Sequence, residues 1–594
     1  MILKRLEKLR ALMAERGIDA YVIPTSDFHE SEYVGDFFKA RKYMSGFTGS
    51  AGVLAVTKDE AGLWTDGRYF IQAANQLKGS TIQLMKMGEE GVPTIEAFLL
   101  EKMPEGGKLG FDGRVITAFQ GLGFAKKMEE KNASLSTGED LVDLIWEDRP
   151  GLSAEPAYGL DVKYAGKSAE EKLADLRETM KKEGCSVHII TTLDDIAWLF
   201  NIRGNDVLYN PVILSYAVIE MDKAHLFVNP ACISDEIRAD LEKIGTVLHP
   251  YNNVVAYVKD LSADETVLLD PRKVNYEIYS AVAGKKVEKT NPTQLSKAIK
   301  NPVELANIRN AHIKDGVAFT KFMYWLKTNI GKIEITEISA SDYLEERRKE
   351  QEGFIELSFN TISAYNANAA MMHYSATEES NAVLKPEGML LVDSGGQYYE
   401  GTTDITRTMI LGPITDEQKL HFTTVLRSML NLQGAKFLHG CIGQNLDILA
   451  RGPLWELGID YKCGTGHGIG YLLNVHEAPN GFRWKIVPER VDNGVLEEGM
   501  VTTDEPGVYI EGSHGIRTEN ELICRKGVKN GDGQFMYFEP VTYAPIDLDG
   551  IDPTLMNEKE RRALNDYHAM VYGKLFPYLN DDEREWLKEY TRSI

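Results

Sequence analysis

Two short stretches set 167 residues apart constrain this fold more than any other feature. LRALMAERG runs from Leu9 to Gly17, and LRETMKKEG runs from Leu176 to Gly184 (176 − 9 = 167). In the first copy Leu3, Leu6, Leu9 and Met13 recur at helical spacing and Gly17 supplies a C-cap. After each copy come an apolar strand and an aspartate, Asp27 and Asp194, again at that offset. One repeat of this length is a duplicated domain, because solenoid units are roughly 20 to 50 residues long. The segment EDRPGLSAEPAYGLDVKYAGKSAEE, rich in Pro, Gly and Ser, reads as the linker between the copies. Two related α/β domains are therefore expected over residues 1–155 and 156–300. In the second, LDDIAWLFNIRGNDVLYNPVILSYAVI reads as turn and strand chemistry.

Neither copy contains a cluster of His, Cys and carboxylates, so both are expected to shield and dimerise around a third domain. Gly46, Gly49 and Gly52 are not followed by GK[ST] and read as strand-end turns instead of a phosphate loop. Arg68 in WTDGRYF and Arg203 in FNIRGND sit on short turns. On spacing alone they read as surface or ion-pair arginines.

At 594 residues the chain exceeds what one hydrophobic core supports. A new domain, residues 301–594, opens at Asn301-Pro302, an N-cap followed by proline at N1, with helical periodicity through Leu305, Ile308 and Phe319. The balance of 66 basic against 89 acidic residues, a net charge of −23, excludes a nucleic-acid binder, which needs a basic face. The charged N-terminal segment MILKRLEKLRALMAERG lacks the apolar region of a signal peptide, and no run has the length of a membrane span. Five scattered cysteines in no CxxC arrangement read as free thiols in a reducing cytoplasm.

The chemistry lies in five pieces of the third domain. In LLVDSGGQYYEGTTDITRTM, from Leu390 to Met409, two strands fold back through glycine-rich turn chemistry at Gly395, Gly396 and Gly401. Alternation places Asp404, Thr406 and Thr408 on one face and can bring Asp393 and Asp404 to the same end. Such paired carboxylates repel unless a proton or cation intervenes. Upstream, LSFNTISAYNANAAMMHYSA is strand-like and delivers His373, which alone reads as a core or surface histidine. Downstream, Gly464, Gly466 and Gly468 surround His467 and free its backbone for turn conformations, with His476 nine residues on (476 − 467). In LEEGMVTTDEPGVYI a strand from Met500 to Thr503 ends at a turn that presents Glu505. In GIRTENELIC, period two puts Arg517, Glu519 and Glu521 on one face.

Together these pieces fit a dinuclear metal site. Asp393, Asp404, Glu505 and Glu519 bring four negative charges and His467 a neutral nitrogen, which two divalent cations would balance. Oxygen ligands with one imidazole suit Mn²⁺ or Co²⁺ and admit Zn²⁺ or Fe²⁺. Two ions about 3.5 Å apart would bridge and deprotonate a water. His373 and His476 would stabilise the oxyanion or donate to the leaving nitrogen, and Arg517 would hold a bridging carboxylate.

The order DSG, TTD, GTGHG, DEPG, RTEN resembles that of the pita-bread metallopeptidases, specifically the long, three-domain cytosolic aminopeptidase P (Xaa-Pro aminopeptidase) family. The resemblance spans almost the whole chain, including WTDGRYF and IAWLFNIRG. It implies two creatinase-like α/β domains followed by a pita-bread catalytic domain of mixed α/β (α+β) class. It also implies that Asp393 ligates one ion, His467 and Glu505 the other, and that Asp404 and Glu519 bridge. Glu505 would also accept the proton of the nucleophilic water, while His373, His476 and Arg68 would contact substrate. Removal of the residue preceding a proline at position two of a peptide, two Mn²⁺ ions and a homodimer are likewise implied. One departure is Cys463, where relatives often have a histidine lining the pocket. A thiol packs there as a small apolar group.

Within the same fold, a prolidase-type dipeptidase or a creatinase-like hydrolase is the alternative. A non-catalytic peptide-binding protein is the other. The duplicated domains and the C-terminal extension favour the aminopeptidase, and all five ligands are retained. In that extension Leu564, Tyr567, Val571 and Leu575 form a helical stripe expected to serve packing.

Overall fold

In the computed structural model, which describes residues 1–487 and 493–594, the duplicated segments fold alike. Helix α1 (Ile2–Arg16) stops at Gly17 with φ +63°, and α2 (Ala169–Lys182) is followed by Gly184 at φ +68°. Both glycines occupy the left-handed region, where a Cβ would be strained.

The strands that follow build two sheets of one topology. The first contains β1 (Ala20–Pro24), β2 (Val53–Thr57), β3 (Ala61–Thr65), β4 (Gln83–Lys86), β5 (Lys108–Gly110) and β6 (Ser134–Ser136), in the order β4-β3-β2-β1-β5-β6. The second contains β7 (Val187–Ile190), β8 (Ser215–Glu220), β9 (Ala224–Val228), β10 (Thr246–Pro250), β11 (Thr266–Leu269) and β12 (Lys285–Glu288). Its order, β10-β9-β8-β7-β11-β12, repeats the first strand for strand. Between β7 and β8, α3 (Leu193–Phe200) corrects the reading of LDDIAWLF as turn and strand. Its first-turn acids Asp194 and Asp195 complement the helix dipole.

The two copies belong to one compact unit, Met1–Asp161 with Lys167–Thr293, and meet through equivalent segments. Ala118 N donates to Val274 O and Tyr276 N donates to Ile116 O, each at 2.8 Å. Both pairs relate by the same offset of 158 (274 − 116 and 276 − 118), so the contact is self-complementary, as in a two-fold dimer. The duplicates thus satisfy each other's backbone after β5 and β11.

The second unit comprises Val162–Gly166 and Gln294–Ile594. It opens with α4 (Pro302–Asn329), whose N-cap Asn301 accepts from Val303 N and Glu304 N at 2.9 and 3.0 Å. Next come α5 (Glu337–Lys349), β13 (Phe354–Leu357) and β14 (Ile362–Tyr365). The long hairpin changes partners midway: β15 (Met389–Ser394) and β18 (Ile405–Ile410) pair beside β14. Its tip, β16 (Gly396–Tyr398) and β17 (Gly401–Thr402), pairs beside β13. After α6 (Asp416–Gln433), β19 (Lys436–Leu438) and α7 (Gly443–Glu456) come β20 (Gly466–Gly468), β21 (Glu477–Phe482), β22 (Val501–Asp504), β23 (Gly507–Ile510) and β24 (His514–Arg517). The strands end with β25 (Asn520–Asn530) and β26 (Gly533–Pro540). A six-stranded sheet runs β19-β26-β25-β22-β20-β21. Helix α8 (Glu558–Leu575) buries its predicted stripe, Leu564, Tyr567, Val571 and Leu575, against Phe422, Val425 and Met429 of α6.

Asn301 caps α4 and also donates to Ala165 O at 2.9 Å. Asn301→Ala is expected to cost about 1 kcal/mol, read as a fall of roughly 2 to 4 °C in the melting temperature of this unit. An unchanged melting temperature would mean that the cap carries no stability.

Candidate metal centre

Asp393 lies near the end of β15 and pairs in register with Thr406 on β18. Asp404 occupies the two-residue break just before β18. The strands converge closely because Gly395 has no side chain: a Cβ there would overlap Thr403 O. The turn itself falls at Tyr399 and Glu400, with Gly401 at φ +136°.

His467 stands in the middle of β20, wedged between β21 and β22. A Cβ at Gly466 would overlap Thr503 O, and one at Gly468 would overlap Glu477 O. The glycines around His467 therefore serve close strand approach, which corrects the expectation of turn conformations. His467 Nδ1 lies 2.9 Å from Gly468 O, a contact that commits Nδ1–H and leaves Nε2 as the acceptor facing the acids. Nε2 is 3.5 Å from both Asp404 Oδ2 and Glu505 Oε1.

Glu505 sits in the short connection between β22 and β23, its N–H donating to Thr465 O at 2.8 Å. Thr503 Oγ1 accepts from His467 N at 3.0 Å and donates to Glu505 Oε1 at 3.2 Å, joining the two residues. Glu519 lies between β24 and β25. Its N–H donates to Thr406 O at 3.1 Å, and its Oε2 accepts from Thr406 Oγ1 at 2.7 Å. Asp404, His467 and Glu519 each offer one ligand atom, and all three atoms lie within 4.8 Å of one another.

Burial first, and then the negative charges of Asp393, Glu505 and Glu521, push the Asp404 carboxyl well above the ordinary range. Burial and then Asp404, Glu505 and Asp393 do the same to Glu519. Among the described residues, Asp393 Oδ1 and Asp404 Oδ1 are buried with no hydrogen-bond partner. Orphaned buried carboxylate oxygens beside a committed imidazole fit a set of cation ligands.

Arg517 reaches this group differently from the expectation. Instead of a bridging carboxylate, Nη2 binds Asp393 Oδ2 at 2.5 Å. It meets the Glu519 side only through Thr406 Oγ1, 3.2 Å from Nε. Tyr509 OH accepts from Nη1 at 2.7 Å.

His476 is brought onto His467, with ring centroids 4.2 Å apart in an edge-to-face arrangement. His373 follows β14 and a 3₁₀ turn (Asn366–Ala370), so only the first part of its segment is a strand. The preceding Met372 O lies 3.5 Å from Arg517 Nη2. Cys463 is half-buried, and burial followed by the Glu505 charge pushes its thiol up to about 11.

Arg68 belongs to the first unit, where Nε and Nη2 bind Asp66 at 2.8 Å each, an ion pair. Arg203, expected in a surface or ion-pair setting, is 1% exposed and donates to Ala197 O and Ile202 O.

Two supporting groups are not among the residues singled out in the sequence. Arg407, buried on β18, donates to Glu519 O at 2.5 Å and to Tyr567 OH at 2.7 Å. Arg451 donates to Cys463 O and Thr465 Oγ1 and so braces the approach to His467. The one trace either leaves in the sequence is a charged residue inside an apolar strand or helix.

Tandem α/β domains followed by a pita-bread unit with clustered acids define a metallopeptidase class. Models of the creatinase/prolidase N-terminal domain match residues 5–145 and 148–304. The metallopeptidase family M24 model matches residues 306–526, and its C-terminal region matches 534–594. Aminopeptidase P1 of Arabidopsis thaliana is 37% identical, over 99% of each chain. A probable Xaa-Pro aminopeptidase P of Laccaria bicolor is 40% identical, over 98% of this chain and 92% of its own. The crystal structure of X-prolyl aminopeptidase from Caenorhabditis elegans, described as a cytosolic enzyme with a di-nuclear active site, superposes with a TM-score of 0.96. It is 36% identical, over 100% of both chains. The chain belongs to the aminopeptidase P (Xaa-Pro aminopeptidase) family of M24 metallopeptidases.

A carboxyl with a raised native pKa keeps its proton where the unfolded chain has released it. The metal-free fold therefore loses stability as pH rises from about 4 through the raised values of Asp404 and Glu519. Cations require the ionised forms, so their binding strengthens over the same interval. The melting-temperature gain from saturating Mn²⁺ is expected to be small near pH 5 and to grow toward pH 8, measured by scanning fluorimetry. A pH-independent gain would place the ion elsewhere.

Proposed function

We propose that this chain is a metal-dependent aminopeptidase releasing the N-terminal residue from peptides with proline in second position. The supporting observation is the convergence of Asp404, His467 and Glu519 beside Glu505 and Asp393, in a chain alike over its whole length to aminopeptidases P. Asp393, Asp404, His467, Glu505 and Glu519 would hold two divalent ions, with Mn²⁺ preferred and Co²⁺ or Zn²⁺ as alternatives. When bound, such a pair supplies Lewis acidity and a hydroxide nucleophile at neutral pH.

The side chains supply the rest. Glu505, oriented by Thr503, accepts the proton of the attacking water and returns it to the leaving nitrogen. His476, packed on His467, donates to the carbonyl oxygen as charge develops there. His373, on the turn adjoining Arg517, binds substrate. Arg517 fixes Asp393 and neutralises part of its charge. Substrate contact by Arg68 is proposed on family resemblance alone.

A cytoplasmic homodimer is the proposed form. No described helix is long and apolar enough to cross a membrane. Trp455 and Trp484, both exposed and in edge-to-face contact with ring centroids 5.6 Å apart, offer an apolar face for a second copy.

Asp404→Asn is expected to abolish both Mn²⁺ binding and hydrolysis while leaving the circular dichroism spectrum unchanged. Full activity in that variant would refute the assignment of Asp404 as a ligand. Arg-Pro-Pro is expected to be cleaved at its first bond and Arg-Ala-Ala hardly at all, with activity lost to chelator and restored best by Mn²⁺ among Mn²⁺, Zn²⁺ and Co²⁺. Equal rates on the two peptides would leave a general aminopeptidase.

A further inference from the structure

A further carboxylate, fully buried, stands beside the four proposed carboxylate ligands. Glu521 lies on β25, two residues after Glu519, and is 0% exposed. Its backbone is held on both sides, with N donating to Thr542 Oγ1 at 2.8 Å and O accepting from Val541 N at 2.9 Å. Its side chain turns toward the hairpin, where Oε1 accepts from Asp404 N at 2.8 Å.

That bond has a specific consequence. Thr403 and Asp404 lie between β17 and β18 and belong to neither strand. The Asp404 N–H thus has no place in a ladder, and a buried N–H left unmade is costly. Glu521 closes this gap and thereby fixes the backbone from which the Asp404 carboxylate projects.

Glu521 is in turn backed by α4. His312, also 0% exposed, places Nε2 3.0 Å from Glu521 Oε2, close enough for ion pairing though off the line of a hydrogen bond. One turn along the same helix face, Asp315 binds Arg348 at 2.6 and 3.0 Å and Tyr398 OH at 2.8 Å. Arg348 Nη2 then donates to Ser394 O at 3.2 Å, next to Asp393. A single helix therefore addresses both arms of the hairpin, His312 through Glu521 on the Asp404 side and Asp315 through Arg348 on the Asp393 side.

We propose that Glu521, packed against His312, is a positioning residue that sets Asp404 for cation binding through its hydrogen bond to the Asp404 amide. This deepens the dinuclear reading and rests on it for its effect on metal. Glu521 touches neither substrate nor reacting atoms. It acts by keeping the Asp404 carboxylate in place before a cation arrives.

Two variants of the full chain separate positioning from a general loss of stability. Glu521→Leu removes the acceptor, whereas Glu521→Gln retains an acceptor oxygen at the same reach. Calorimetry with Mn²⁺ alone is expected to show affinity weakened about 10- to 100-fold in Glu521→Leu and within about threefold of wild type in Glu521→Gln. Amide hydrogen exchange at Asp404, followed in the metal-free protein, is expected to accelerate in Glu521→Leu and to stay slow in Glu521→Gln. Wild-type Mn²⁺ affinity in Glu521→Leu would overturn the proposal even if that variant melts at a lower temperature. So would equal losses in the two variants, because the charge and not the hydrogen bond would then be responsible. If wild type bound no Mn²⁺, the dinuclear reading would fall. The exchange data would still decide whether Glu521 fixes the Asp404 amide, and unaltered exchange in Glu521→Leu would refute that.

Discussion

Mutual repulsion among acids kept out of water is the condition around which the catalytic unit is built. Burial disfavours ionisation of Asp404 and Glu519, and each is further opposed by the other acids of the group. Free side chains would relieve this by moving apart. Here the backbones forbid it, because the elements carrying the acids are tied to one another. Glu519 N is bound to Thr406 O on the hairpin, and Glu505 N to Thr465 O beside the His467 strand. Asp404 N is bound to the Glu521 side chain, and His467 N to Thr503 Oγ1 beside Glu505. What remains is protonation or a cation, and a site preorganised in this way favours the cation wherever the pH permits ionisation.

Features set by neighbours close along the chain are legible in the sequence. The helix stops at Gly17 and Gly184, the cap at Asn301 and the stripe on α8 each depend on residues within one or two turns. The return of the hairpin is readable for the same reason, since period-two alternation survives the change of sheet at Gly395. LDDIAWLF is not, because a short apolar run fits a buried strand or a buried helix equally by periodicity. The signal that separates them is the pair of acids in its first turn.

The candidate site is legible as a set of residues and far less so as an arrangement. The glycines around His467 look like turn formers, yet their need arises from Thr503 and Glu477 on neighbouring strands. Arg517 ends β24 and Glu519 falls in the break before β25, so the single period-two strand expected there is interrupted, and Asp393, more than a hundred residues away along the chain, captures the guanidinium. No local pattern can announce a partner supplied from so far off. The role of Glu521 is not apparent from the sequence either, since its partner is a backbone amide and leaves no mark there.

Arg407 extends this logic to the C-terminal segment. Its guanidinium is buried on β18, and burial alone lowers its pKa. It is kept there by six acceptors: Thr406 O, Glu519 O, Asn520 Oδ1, Ala544 O, Pro545 O and Tyr567 OH. Three of these six come from beyond residue 540. Without that segment the cation would face the Glu519 strand with unmade hydrogen bonds, each costing about 1–3 kcal/mol. The stripe on α8 is therefore more than a cover for apolar surface, because the helix that buries it also delivers Tyr567 to Arg407. Through Arg407 the last elements of the chain bear on the backbone of Glu519, one of the two carboxyls whose ionisation the other acids oppose.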